Sequence, residues 1–279
     1  MNIGIIGLGS IGQMLVKAFT RSAAASTIYV YTRTNEKAEQ FQKNWPFTLC
    51  HSMQDVCQKV DLLFLCTKPL DILPVLATAA AHLNTHTHVV STAAGVSLAD
   101  LASRYSGPVS KLIPTVTSQE LHGVSLFVCH PSVSSTERAG FIDVLQKIGR
   151  AEEVTESTIE TATILTSSAP GLIAGILEEF AMGATRHTPE LSIEQARSYL
   201  VETLLGTALL LQAEQLGFDQ LIERVATKSG ITQEGLEVLG KVLPQSFDEL
   251  FTMTAGKHQL VKDAIAKQNA ASHAVPIKR

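Results

Sequence analysis

The chain has 279 residues, 45% hydrophobic, 17% charged and only 5% aromatic, with a formal net charge of −4. That length suits about two domains with buried cores, and the charged fraction falls below the roughly 25% of ordinary soluble domains. Lys and Arg are scattered singly, which argues against nucleic acid as a main partner; no stretch of about 18 apolar residues suggests a membrane span, and the opening MNIGIIGLGS lacks the basic n-region of a signal peptide.

Short β-branched runs alternate with helical patterns over the first 150 residues or so. Strands are predicted at Asn2–Ile6, Thr27–Tyr31, 61–66, 87–91, Val109–Ile113 and 124–129, with helices at about 11–23, 35–44, 70–82, 97–104 and 134–149. This alternation implies right-handed βαβ crossovers and a largely parallel sheet. The last two strands are close enough in sequence to pair antiparallel at an edge. The four cysteines, Cys50, Cys57, Cys66 and Cys129, show no CxxC spacing. Cys66 and Cys129 end apolar runs, where buried free thiols are expected, and the chain reads as a reduced, cytoplasmic protein.

The texture changes near residue 155. Ser157-Thr158-Ile159-Glu160 is a capping-box pattern that opens a helix. Pro170 interrupts the following run, which reaches to about Gly183. Thr188-Pro189 reads as an N-cap and N1 proline, opening a helix to Gly217 with Ala196, Leu200, Leu204, Ala208 and Leu211 at helical spacing. Two domains are therefore expected, 1–154 and 155–279, the second all-helical, with a frayed tail at 270–279.

The first strand runs straight into Gly7-Leu8-Gly9-Ser10-Ile11-Gly12. In such a motif the first glycine makes the tight turn, the second admits a pyrophosphate and the third lets helix pack on strand. The phosphates then sit on the helix N-terminus. At the end of the second strand an NAD site places an acid for the ribose 2′-hydroxyl. Here the stretch is Tyr31-Thr32-Arg33-Thr34-Asn35, with no acid before Glu36. Arg33, with the hydroxyls of Thr32 and Thr34, suits a 2′-phosphate and predicts NADPH over NADH; the alternative is a merely solvated strand-end arginine. Two further strand ends border the expected site, Cys66-Thr67-Lys68-Pro69 and Ser91-Thr92-Ala93-Ala94-Gly95. The predicted cofactor contacts are thus Ile6 through Gly12, Thr32, Arg33, Thr34, Cys66, Thr67, Lys68, Pro69, Thr92, Ala93 and Ala94. Lys68 reads as exposed or phosphate-facing rather than catalytic.

Five segments in order resemble the pyrroline-5-carboxylate reductase family. Its AVKP, AAG, PNTP, SGSGPA and SPGGTT motifs have counterparts in Cys66-Thr-Lys-Pro69, Ala93-Ala-Gly95, Pro114-Thr-Val-Thr117, Thr166-Ser-Ser-Ala-Pro170 and Thr227-Lys-Ser-Gly-Ile-Thr232. The departures are Thr115 and Thr117 in the third, Ser167 and Ala169 in the fourth, and Lys228, Ser229 and Ile231 in the last. These departures make the chain similar to the late-competence (ComER-like) branch more than to the proline-making enzymes.

The resemblance implies an α/β architecture, a Rossmann-type doubly wound sheet followed by an all-helical dimerisation domain. It implies an NADPH-dependent reductase of a cyclic imine such as 1-pyrroline-5-carboxylate. Thr232 would be the hydroxyl near the ring nitrogen, and Ser229, Gly230, Ile231 and Thr232 would cradle the carboxylate, with Ser168 also binding substrate. Glu214 matches an acid near the substrate amine, with a solvated helix-end glutamate as the alternative. Thr232 also reads as the N-cap of a helix ending near Leu243, and the two roles are compatible. No metal is implied at His82, His86 and His88, and His122 and His130 are expected to be exposed.

Two other readings stand beside this one. A β-hydroxyacid-type dehydrogenase would carry a lysine on the first long helix of its second domain, and 170–183 has none. A nucleotide-binding regulator without turnover accommodates the altered motifs. Residues 161–177 carry no acid or base, and with Leu200, Leu204 and Leu205 they give more apolar surface than one helical domain hides. The resemblance implies a homodimer or a higher oligomer of dimers, intertwined through these helices with Thr232 near the interface, burying well over ~2,000 Å².

Overall fold

The computed structural model describes residues 1–24 and 27–273. The chain forms two compact units, one of Met1–Ser168 with the chain from Thr254 onward, the other Ala169–Met253. The expected division after residue 154 follows the change in sequence texture; the geometric one counts two later helical segments with the sheet.

In the first unit the strands are β1 (Asn2–Ile6), β2 (Thr27–Tyr31), β3 (Thr48–Leu49), β4 (Leu62–Leu65), β5 (His88–Ser91), β6 (Val109–Ile113), β7 (Gly123–Cys129) and β8 (Gly149–Glu153). They form one sheet in the order β3-β2-β1-β4-β5-β6-β7-β8. All pairings are parallel except β6 with β7, where Ser110 faces Cys129 and Ile113 faces Leu126. The helices between strands are α1 (Ser10–Ser22), α2 (Asn35–Gln42), α3 (Met53–Cys57), α4 (Ile72–Ala80), α5 (Leu98–Ala102) and α6 (Ser135–Gln146). The antiparallel pair expected at one edge is present, with β8 added outside it.

The strands read as unbroken apolar runs because both sheet faces are covered. Successive side chains alternate faces: Leu63 and Leu65 of β4 join a core with Leu76, Leu101 and Ile113, while Leu62 and Phe64 join the other with Leu15, Phe19 and Phe141. β3, α3 and β8 were not predicted. β3 has only two residues, and β8 (GRAEE) is half exposed and charged, so neither carries an apolar signal.

Among the described residues of this unit, one side chain that carries a charge is buried. Lys111 of β6 is 5% exposed and pairs with Glu156 at 3.3 Å. Glu156 also accepts the Leu98 N–H at 3.1 Å, tying the chain after β8 to β6 and to the start of α5. Burial lowers the Lys111 pKa and Glu156 opposes the shift.

Four starts or stops differ from expectation. α7 (Ile159–Thr163) opens at Thr158 without a side-chain cap, and the Thr158 hydroxyl instead accepts from the Thr155 N–H, so Ser157–Glu160 forms no capping box. Pro170 does not break the run: after a π-helical turn (Ile164–Ser168), α8 (Ala169–His187) starts one residue before it, where a missing N–H costs little. α9 (Ile193–Glu214) opens at Ser192, not Thr188, because Ser192 and Gln195 close a true capping box. It ends at Gln215 in the left-handed region (φ 53), and α10 (Phe218–Val225) follows Gly217. α11 (Ile231–His273) passes through Pro244 for 43 residues and does not stop near Leu243. The backbone of the expected frayed tail is helical through His273, and 274–279 lie outside the described residues.

The α11 residues from Thr254 belong to the sheet unit. Val261 and Ile265 pack there so tightly that a Cβ on Gly95 would lie 2.9 Å from Val261. Asn269 donates to Asp100 at 3.2 Å, and Lys262 pairs with Glu160. In the second unit α8 and α9 pack on each other, joined by Arg197 and Glu178 (Nε to Oε2, 2.9 Å). Ala181 and Ala196 are buried, yet Phe180 (65%), Leu209 (56%) and Val238 (60%) are exposed in the chain by itself.

Candidate functional site

β1 delivers the chain into the glycine turn, and its three glycines are required for three different reasons. Gly7 has φ +99, and a Cβ there would lie 2.8 Å from the Cys66 carbonyl oxygen. Its N–H donates to the Tyr31 carbonyl at 2.8 Å, locking β1 to the end of β2. Gly12 is buried with its would-be Cβ 2.1 Å from the Gly7 oxygen, so α1 can touch the turn only with hydrogen there. Gly9, the N-cap of α1, has nothing within 4 Å of its would-be Cβ. The space over Gly9 lies at a helix start, where the first N–H groups lack intrahelical acceptors and favour an anion.

That space opens into a cleft of about 500 Å³ across the carboxyl ends of β1, β2 and β4, where ligands of parallel sheets bind. Ile6, Gly7, Leu8 and Gly9 line it from the turn, Thr32, Arg33 and Thr34 from β2, and Cys66, Thr67 and Lys68 from β4. The Thr67 hydroxyl is buried without a hydrogen-bond partner, a donor waiting for an acceptor. Open space over Gly9, a helix start, an orphaned hydroxyl and an exposed guanidinium fit a phosphorylated dinucleotide.

The other predicted contacts stand around the cleft rather than in its lining. Ser10 and Ile11 begin α1, and Gly12 lies beneath it. Pro69 is exposed and starts a 3₁₀ turn (Pro69–Asp71). The Thr92 hydroxyl donates to the Leu65 carbonyl at 3.0 Å, Ala93 is buried and Ala94 half-buried. Cys66 and Cys129 are partly exposed as residues, short of the full burial expected, because strand ends open onto cleft and edge. Burial still pushes the Cys66 thiol up to about 12, against a hydrogen bond with Thr92, so it is no thiolate nucleophile.

Sequence reading missed two charged groups in this lining. Lys37, in the first turn of α2, faces the cleft with Arg33, and Asp71 faces it from the 3₁₀ turn. The usable signal for Lys37 was the absence of any linker between Thr34 and α2.

In the second unit, Ser229 holds φ +59 in the turn before α11. The Gly230 N–H donates to Thr227, and the Gly230 carbonyl accepts from Gln233 and Glu234, which makes Gly230 the first anchor of α11. Thr232 is therefore the second helical residue rather than the N-cap. Ile231 and Thr232 are exposed, at the amide-rich start of a long helix. Glu214, at the end of α9, pairs with Arg224 at 2.7 Å, which holds its carboxyl below the usual range. Ser168 closes the π turn in the sheet unit, exposed.

His88 is buried in β5, within the strand expected at 87–91, and lies 2.8 Å from the Ser110 hydroxyl. His122 is exposed, while His130 is half-buried and bonded to Ser132. Among the described residues no group of three or more His, Cys, Asp and Glu could hold a metal. No described helix is long and apolar enough to cross a membrane.

Comparison with known proteins agrees with this layout. Residues 2–95 match the family described as NADP oxidoreductase coenzyme F420-dependent, and 156–260 match the one described as pyrroline-5-carboxylate reductase dimerisation. Pyrroline-5-carboxylate reductase 3 of Bacillus subtilis is 34% identical over 269 residues, 95% of this chain and 98% of the relative. ComE operon protein 4 of the same organism is 28% identical, covering 96% and 99%, so the likeness to the late-competence branch is present but is lower than that to the named reductase. A crystal structure of Plasmodium falciparum pyrroline carboxylate reductase with NADP bound superposes with a TM-score of 0.81 at 18% identity, covering 95% and 98%, which establishes the shared fold. With a nucleotide cleft in the sheet unit and a matching dimerisation region, the chain belongs to the pyrroline-5-carboxylate reductase family of NAD(P)-dependent oxidoreductases.

Proposed function

We propose that the protein uses NADPH to reduce a cyclic imino acid such as 1-pyrroline-5-carboxylate to proline. The observation that carries this reading is the 34% identity, over 95% of the chain, to a named pyrroline-5-carboxylate reductase. Bound NADPH supplies the hydride for the C=N carbon. Arg33 and Lys37 hold the 2′-phosphate, the Gly9 turn with the start of α1 holds the pyrophosphate, and Thr67 donates to it. The Thr232 hydroxyl hydrogen-bonds the ring nitrogen, and amides of 229–232 with the α11 dipole take the carboxylate. Glu214, kept ionised by Arg224, supplies negative charge toward the amine, and Ser168 adds a polar contact. A cyclic iminium arrives already protonated, so these groups chiefly position it.

Two copies pair through the apolar faces of α8, α9 and α11, and the match at 156–260 supports that reading. A cytoplasmic site fits four free cysteines. A second reading, a regulator that binds NADPH without turnover, is favoured by Thr115, Thr117, Ser229 and Ile231 standing where the family motifs differ. NADPH oxidation with pyrroline-5-carboxylate separates the two. Turnover that falls at least tenfold in Thr232→Ala supports the reductase; tight NADPH binding with no turnover on a panel of cyclic imines selects the regulator. A monomer by light scattering at micromolar concentration would sink the dimer.

A further inference from the structure

Asp71 ends the 3₁₀ turn and runs straight into α4 with helical backbone angles (φ −89, ψ −15), so its side chain caps nothing. It lines the nucleotide cleft instead, with its carboxylate 3.6 Å from the Arg33 guanidinium. The pair joins the end of β2 to the turn after β4. Arg33 is 85% exposed and Asp71 41%, and the separation exceeds the roughly 2.7–2.9 Å of a charge-assisted hydrogen bond. Such a pair is weak and easily displaced. Lys37 lines the same cleft as a second cation.

We propose that Asp71 sets the cofactor preference of this cleft, as a counter-ion that the 2′-phosphate must displace from Arg33. The proposal rests on the reading of Arg33 as the 2′-phosphate ligand. A phosphate of charge near −2 meets the carboxylate within a few ångströms, whereas the 2′-hydroxyl of NADH carries no charge to repel. Asp71 therefore tempers the preference for NADPH through a repulsion that NADH does not meet, and it leaves the cleft able to admit both. The effect is electrostatic and partly solvated, so it is screened by salt.

The test is titration of the full-length protein with NADPH, NADH and 2′,5′-ADP, in wild type, Asp71→Asn and Arg33→Ala. Asp71→Asn should tighten NADPH and 2′,5′-ADP by about threefold to tenfold at low salt, with less gain at 0.5 M salt. An unchanged melting temperature reports that the variant is folded, and a gain confined to the ligands that carry the 2′-phosphate shows that the effect belongs to the phosphate. Equal shifts for NADH and NADPH, or no shift for either, would overturn the proposal while leaving the nucleotide site intact. If wild type binds neither nucleotide, or Arg33→Ala costs NADPH nothing, the underlying reading fails and takes this proposal with it.

Discussion

Two glycines three residues apart should respond in opposite ways to the same methyl group. In Gly12→Ala the new Cβ would start 2.1 Å from the Gly7 carbonyl oxygen. Relief to ordinary contact moves α1 about 1 Å off β1, in a core packed as densely as a crystal. Met14, Leu15 and Phe19 of α1 are buried there, so overpacking should cost the upper part of ~1–3 kcal/mol, or a fall in Tm of about 4–10 °C at this chain size. In Gly9→Ala the Cβ enters open space, and the backbone at φ −77 suits alanine. Its stability should stay within about 1 kcal/mol of wild type, since reduced unfolded-state freedom offsets the poorer cap. The methyl would project over the helix start where the pyrophosphate binds, so NADPH affinity should drop at least tenfold. Circular dichroism melts and NADPH fluorescence titrations read the two quantities separately. A Gly12→Ala protein melting within 1 °C of wild type, or a Gly9→Ala protein with full NADPH affinity, would refute the assignment of roles.

Ser229 holds φ +59, a conformation that L side chains tolerate poorly. Ser229→Gly should raise stability by about 1 kcal/mol in urea titrations, and a loss would show that the hydroxyl holds the turn. His88, buried beside Ser110, has its pKa pushed down from 6.5 to about 4, mainly by burial. Its depressed value favours the folded state above pH 6.5, and that contribution is lost as pH falls from 6.5 towards 4. The loss amounts to about 3 kcal/mol, read as the difference between the pH–stability profiles of wild type and His88→Asn; parallel profiles would contradict it.

Much of the fold was legible because parallel strands covered on both faces must be continuously apolar. β1, β2 and β6 fall at their predicted boundaries for that reason. β8 was not legible, since a charged edge strand pairs through its backbone alone. The start of α9 was misplaced because Thr188-Pro189 and Ser192 with Gln195 are competing signals four residues apart, and the reciprocal hydrogen bonds of the second decide. The end expected near Leu243 falls inside α11, which runs on through Pro244. In the cleft, the glycine turn and Arg33 are local signals. Asp71 is not, for it meets Arg33 only when β2 and β4 come to flank β1. The return of Val261 and Ile265 to the sheet joins parts of the chain more than 150 residues apart, which no local pattern records.

The two ends of the sheet bear on how the protein behaves when crowded. β3 offers two residues of free edge, and β8 carries Arg150, Glu152 and Glu153, with Arg150 and Glu152 joined at 2.8 Å. Short and charged edges deny a neighbouring chain the row of unpaired amides on which fibrils grow. A molecule can then keep a sticky helical surface for a chosen partner, while its most generic adhesive, bare backbone, stays out of reach.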